Sequence, residues 1–126
     1  MQHVPRMLYG TAWKEDRTVD CVERAIRAGF RGIDTACQPK HYQEHLVGHA
    51  VQRLIQAGEI ERSDLFIQTK YTAVAGQDPA RVPYDANMSL TDQARASIEA
   101  SLRNLNTDYI DSWVVHSVQP TQELMM

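Results

Sequence analysis

Asp34, Tyr42, Lys70 and His116 are four side chains of different acidity, and three of them close successive apolar runs of the chain. Together they suit one kind of chemistry. A phenol titrates near 10, too high for ready proton exchange at neutral pH. A neighbouring ammonium stabilises the phenolate and lowers that value, and an aspartate can hold the ammonium in place. A histidine on the other flank can hydrogen-bond a substrate oxygen and orient it. The product of such a set is a proton donor aimed at a carbonyl that is becoming an alkoxide.

Taken singly, each residue also has a structural reading. An aspartate after a strand closes turns, a lysine at a strand end is usually solvated, and His116 suits a hydrogen-bonded structural role. The force lies in the coincidence of their positions. His45 and His49 stand four apart on a helical stretch, a spacing that can bind metal, but no third ligand accompanies them. They read as a solvated helix face, and no metal site is expected. Trp13 and Trp113 are expected to pack.

Alternating elements position these residues. Met7-Leu8-Tyr9 is a short apolar run closed by Gly10, followed by Thr11, Ala12 and Trp13. Between Asp16 and Ala28, Val19, Val22 and Ile26 recur at helical spacing. Gly29 stops that helix, because glycine accepts a left-handed conformation. Phe30 to Ile33 reads as a strand ending at Asp34. Leu46, Val47, Ala50, Val51, Leu54 and Ile55 place a second helix over Glu44 to Ala57, stopped by Gly58. Leu65 to Thr69 is the third strand and delivers Lys70. Tyr71 to Met88 reads as a long loop, a length that is often functional. Ser89 and Asp92 form a helix start signal, and Ala94, Ile98, Leu102 and Leu105 lie on one face of the helix they open. Tyr109 to Val115 is the fourth strand and ends in His116. Thr121 to Leu124 resembles the opening of a further helix.

Strands alternating with helices mark a parallel sheet with crossover helices, so the fold class is α/β. Right-handed crossovers leave a doubly wound sheet or part of a barrel. In both, chemistry gathers at the carboxyl ends of the strands. No phosphate-binding glycine motif supports a nucleotide-binding Rossmann unit. The 126 residues suit a single domain spanning 1–126. Thirteen basic against sixteen acidic residues give a charge of −3, which offers no footprint for nucleic acid or an anionic bilayer. No apolar run is long enough to span a membrane. Cys21 and Cys37 are too few for a disulfide framework and lack zinc spacing. A soluble, cytoplasmic protein is expected.

The segments Gly29 to Ala36, Asp64 to Lys70, and Asp108 to Asp111 leading to Val114-Val115-His116 resemble the aldo-keto reductases. The resemblance runs from about Met7 to the last residue. It implies parallel βα units forming the first half of a (β/α)8 barrel, NADPH as cofactor, and a small aldehyde or ketone as substrate. The family's catalytic tetrad would fall on Asp34, Tyr42, Lys70 and His116. Thr11, Trp13 and Asp34 match its contacts near the nicotinamide end. The loop from Cys37 to Glu44 is about two residues longer than the common family spacing. Counting back from Glu44 therefore lands on His41, whereas branches with a His-Tyr loop favour Tyr42.

A complete barrel of this kind takes about 250 residues. The family's remaining cofactor contacts belong to its second half, so weak or absent NADPH binding is expected for this chain. Three functions stay open. One is an NADPH-dependent carbonyl reductase present as its N-terminal half. Another is a cofactor-independent isomerase, dehydratase or cyclase using the same residues. The third is a non-catalytic half-barrel module. Four strands without closure leave sheet edges and one face uncovered, so a homodimer or higher oligomer is expected.

Overall fold

The computed structural model of the chain describes residues 4–116. Its elements are β1 (Tyr9–Gly10), α1 (Thr18–Arg27), β2 (Gly32–Asp34), α2 (Glu44–Gln56), β3 (Phe66–Tyr71), α3 (Leu90–Leu105) and β4 (Ser112–Val115). The strands form one parallel sheet in the order β1-β2-β3-β4. Ile33 sits opposite Tyr9 and Ile67, Asp34 opposite Gly10 and Gln68, and Gln68 opposite Ser112.

Each helix ends as its last residues dictate. Gly29 (φ +114°) and Gly58 (φ +73°) take the positive φ that lets the chain leave α1 and α2. The following N–H groups turn back onto helix carbonyls, Phe30 onto Ala25 and Glu59 onto Leu54, each at 3.0 Å. Asn106 does the same work for α3 at φ +51°. At the other end of α3, the Ser89 hydroxyl accepts from the Asp92 N–H at 3.2 Å, so the start signal is used as read.

The strands begin and end elsewhere than their apolar runs suggest. Phe30 has given its N–H to α1, so β2 starts at Gly32 rather than Phe30. The strand expected over Tyr109 to Val115 is confined to Ser112–Val115. The Asp111 carboxylate accepts from the Ile67 N–H at 2.9 Å, putting a side chain where a ladder bond would lie, and Arg62 holds it at 2.9 Å. β3 runs to Tyr71, so Lys70 lies inside the ladder opposite Val114. β1 is Tyr9–Gly10, and Met7 is exposed. The segment after β3 is not structureless: it makes one 3₁₀ turn, Val74–Gly76, and buries Gln77 and Tyr84. The helix expected at Thr121 to Leu124 lies outside the described residues.

Strand side chains alternate between faces. Ile33 and Ile67 join Val22, Ile26, Val47, Val51, Leu54, Leu65 and Leu105 in the core between sheet and helices. Asp34, Gln68, Lys70 and Ser112 occupy the other face. α2 lies between α1 and α3, and a Cβ on Gly48 would collide with the Asn104 carbonyl oxygen. Among the described residues no helix is long and apolar enough to cross a membrane.

Candidate active site

Lys70 and Asp34 form the centre of the site. The Lys70 ammonium lies 2.8 Å from each Asp34 carboxylate oxygen and 2.9 Å from the Thr35 carbonyl. An ammonium has three hydrogens, so these contacts engage all of them. The pair is largely shielded, with 12% of the Lys70 side chain and 21% of the Asp34 side chain exposed. Gln68 extends the cluster along the open sheet face. Its amide donates to Asp34 Oδ1 at 2.8 Å, while its oxygen accepts from the Ser112 hydroxyl at 2.8 Å.

Tyr42 stands beside this pair from the loop before α2. The Lys70 ammonium is 5.1 Å from the Tyr42 ring centroid, over its face. His116 closes the other side, edge-to-face with Tyr42 at 6.0 Å between centroids. Four separate parts of the chain thus bring the four sequence-predicted residues together. His41, the alternative by loop counting, has a different ring partner. Its ring stacks on Trp13 at 3.8 Å, and its carbonyl accepts from the Trp13 N–H at 2.8 Å.

Electrostatics set the state of each group. Burial, and then the Asp34 carboxylate, hold the Tyr42 phenol above its ordinary pKa. The net shift is therefore upward, where the sequence suggests a downward one. The His116 imidazole is held below its ordinary value, first by burial and then by the Lys70 charge, against an opposing pull from Asp34. Burial and the Lys70 charge thus favour the neutral imidazole, whose Nδ1 lies 2.7 Å from the Thr72 hydroxyl. Cys37 is no thiolate nucleophile, since burial and the nearby Glu44 push its thiol up to about 12.

Thr11 and Trp13 differ in placement. Thr11 is fully buried, and both its hydroxyl (2.8 Å) and its N–H (3.1 Å) donate to the Asp34 carbonyl. It ties the end of β1 to the residue that holds Lys70. Trp13 does not pack inside: it is 66% exposed, in a left-handed conformation at φ +62°, and presents its ring beside His41. Trp113 does pack, against Tyr71. His45 and His49 face each other at 6.1 Å on the exposed side of α2. Among the described residues no group of three His, Cys, Asp or Glu could hold a metal.

Sequence reasoning missed Gln68, Ser112 and Thr72. A signal existed for the first two. Gln68 precedes Lys70 by two residues and so shares its face, where a polar side chain in an apolar strand has a purpose. Ser112 is its register partner.

Comparison with known proteins gives one consistent result. The family model "Aldo/keto reductase family" matches residues 6–125. An Equus caballus protein, aldo-keto reductase family 1 member C23-like protein, is 31% identical over 132 residues, which cover 96% of this chain and 35% of that protein. Rattus norvegicus aldo-keto reductase family 1 member C18 is 29% identical, with coverage of 97% and 35%. Among solved structures, the aldo-keto reductase AKR2E5 of the silkworm Bombyx mori superimposes with a TM-score of 0.68 at 28% identity, covering 90% of this chain and 33% of that one. The same reductase complexed with NADPH gives 0.69, with coverage of 89% and 32%. Schistosoma japonicum aldose reductase, at 22% identity and a TM-score of 0.71, shares the fold. This chain spans about a third of the length of the relatives it matches.

Proposed function

The chain belongs to the aldo/keto reductase family, and from that premise we propose that its strand-end cluster reduces a small aldehyde or ketone with NADPH. Tyr42 is the general acid, Lys70 and Asp34 are the pair that tunes it, and His116 orients the substrate oxygen. One observation carries this reading: Tyr42 stands between Lys70 and His116, 5.1 and 6.0 Å from its ring centroid, with Asp34 gripping the lysine.

The residues present suit one end of the cofactor. Trp13 offers an exposed aromatic face, and Tyr42 and His116 offer hydrogen-bond donors to a carbonyl oxygen. Cofactor phosphates call for basic donors, and the one lysine in the cluster has its hydrogens on Asp34 and Thr35. Weak NADPH binding by this chain is the expected consequence. Bound NADPH would supply the hydride that reaches the carbonyl carbon. As the oxygen becomes an alkoxide, it takes the Tyr42 proton, because an alkoxide is far more basic than a phenolate. Lys70 then turns one hydrogen from Asp34 or Thr35 toward the phenolate. Gln68 stays on Asp34 and keeps that carboxylate partnered. The free thiols of Cys21 and Cys37 suit a reducing, cytoplasmic setting.

A second reading, isomerisation or dehydration of a small carbonyl compound without hydride transfer, is favoured by the fact that all four groups hold or move protons. An assay that follows NADPH consumption and alcohol formation together separates the two. Tyr42→Phe is expected to abolish alcohol formation with an unchanged circular dichroism spectrum. Lys70→Met is expected to slow it by ~10²–10⁴-fold, the usual weight of general acid catalysis. His41→Ala is expected to keep it. Full activity in Tyr42→Phe with loss in His41→Ala would move the acid to His41. Conversion of the carbonyl with no NADPH consumed would select the second reading. No conversion of any carbonyl would leave a half-barrel without catalysis.

A further inference from the structure

We propose that Thr72 is a positioning residue that donates its hydroxyl hydrogen to His116 Nδ1 and so fixes the imidazole with its proton on Nε2. This deepens the reductase reading and rests on it for its purpose: Nε2–H is then a permanent donor for the substrate oxygen. The hydrogen bond itself stands on geometry alone.

The two atoms are 2.7 Å apart, and Thr72 is 4% exposed. Among the described residues, the hydroxyl's hydrogen bond is to His116. A buried O–H left without an acceptor is costly, whereas an oxygen with a spare lone pair costs little. Thr72 is therefore the donor and Nδ1 the acceptor. Neutral imidazole has one proton to place, and it goes to the other nitrogen. The groups facing His116 are Lys70 on β3, Asp34 on β2, and Tyr42 and His41 in the loop before α2. Burial, and then the Lys70 charge, favour the neutral ring, and in that form the choice of tautomer is what remains to be fixed.

Both partners are held at the backbone. The Thr72 carbonyl accepts from the Tyr84 hydroxyl at 2.6 Å and from the Gln77 amide at 3.1 Å. Gln77 also donates to the Cys37 carbonyl at 2.9 Å, tying the loop after β3 to the loop after β2. The His116 N–H donates to the Tyr71 carbonyl at 2.9 Å. The side chain of Thr72 is hemmed in as well. A Cβ on Gly76 would come within 2.8 Å of the Thr72 methyl, so that methyl already fills its side of the site. Threonine is stiff at χ1, and with the methyl placed there the hydroxyl is directed to His116. The long loop after β3 thus has a use: it builds the support of the site's histidine.

Nitrogen-15 spectra of the histidine side chains in the 126-residue chain test this directly, since the two tautomers have different ring-nitrogen shifts. The His116 signal of the wild type at pH 7.5 is expected to be the Nε2–H form. Thr72→Val removes the hydroxyl at nearly constant shape and is expected to shift the tautomer ratio toward Nδ1–H by roughly fivefold or more, the weight of one ordinary hydrogen bond. Thr72→Ser is expected to restore the wild-type ratio. A wild-type Nδ1–H form, or an unchanged ratio in a folded Thr72→Val chain, overturns the proposal. Should Thr72→Val fail to fold, the wild-type and Thr72→Ser spectra decide. Failure of the reductase reading shows in the carbonyl assay and leaves these spectra unmoved.

Discussion

Every hydrogen on the Lys70 ammonium already has an acceptor, two on Asp34 and one on the Thr35 carbonyl. The lysine that is to stabilise a phenolate is, in this state, turned toward its aspartate. Two things act on the Tyr42 phenol: burial, and then the Asp34 negative charge, which opposes its ionisation. Both hold the phenol above its ordinary value, so Tyr42 keeps its proton at neutral pH. Asp34→Asn removes the charge and leaves the burial, and the Tyr42 phenol of that variant should titrate below that of the wild type. Carbon-13 labelled tyrosine, followed by NMR through alkaline pH, reads this. An equal or higher value in the variant would show that burial alone sets the phenol. The residue types of the site were readable because strand ends are where such chemistry gathers, which exposed Asp34, Lys70 and His116. Spacing could not choose between His41 and Tyr42, since one residue of loop register decides which ring meets Lys70 and which stacks on Trp13. Nor could it show that the lysine's hydrogens are all engaged, which needs the Asp34 carboxylate and the Thr35 carbonyl placed around it in three dimensions.

α2 carries the loop that presents Tyr42, and its seat is fixed by how closely it approaches α3. Gly48 of α2 is buried against the backbone of Asn104 and Leu105. One turn earlier Glu44, 4% exposed, accepts from the Thr69 hydroxyl at 2.5 Å and the Asn104 amide at 2.9 Å. These contacts join β3, α2 and α3 directly beneath the site. Gly48→Val puts branched carbon where backbone already lies, so the helices must part. Overpacking of this kind costs about 1–3 kcal/mol, and the expected result is a lower urea midpoint with an unchanged slope. A midpoint at or above the wild type would mean that α2 and α3 separate freely. Helices were the readable elements here, because a 3.6-residue stripe and a stop residue are local features: Gly29, Gly58 and Ser89 all do what their types suggest. Strand ends were not, because non-local bonds trim them. Phe30 loses its N–H to Ala25, and the Asp111 carboxylate takes the Ile67 N–H. The supporting role of the loop after β3 was hidden for the same reason, as its hydrogen bonds run to Cys37, Gln38 and Gln93.

A parallel sheet usually has both faces covered, and this one presents Asp34, Gln68, Lys70 and Ser112 on the face opposite its helices. Among the described residues, β1 and β4 each pair on one side only. β1 is two residues long, a short edge that limits unwanted pairing, but β4 offers four residues, all half-buried. Exposed apolar side chains, Val4 at 61% and Met7 at 66%, lie in the segment leading into β1. Uncovered backbone and apolar surface both favour association. For the 126-residue chain, two copies about a two-fold axis can set β1 of one beside β4 of the other at both seams, an arrangement of the commonest oligomer class. That closure would bring both Asp34-Tyr42-Lys70-His116 sets to one rim and shield the polar face between them. A dimer or larger assembly is thus the expected state at micromolar concentration, measured by size-exclusion chromatography with light scattering. Added charge on an edge should weaken it: Ser112→Lys and Val114→Lys together place two ammonium groups on the face that closure buries. A folded, non-aggregating monomer in the wild type would show that the edges need no second copy. An oligomer untouched by the double substitution would place its interface away from β4.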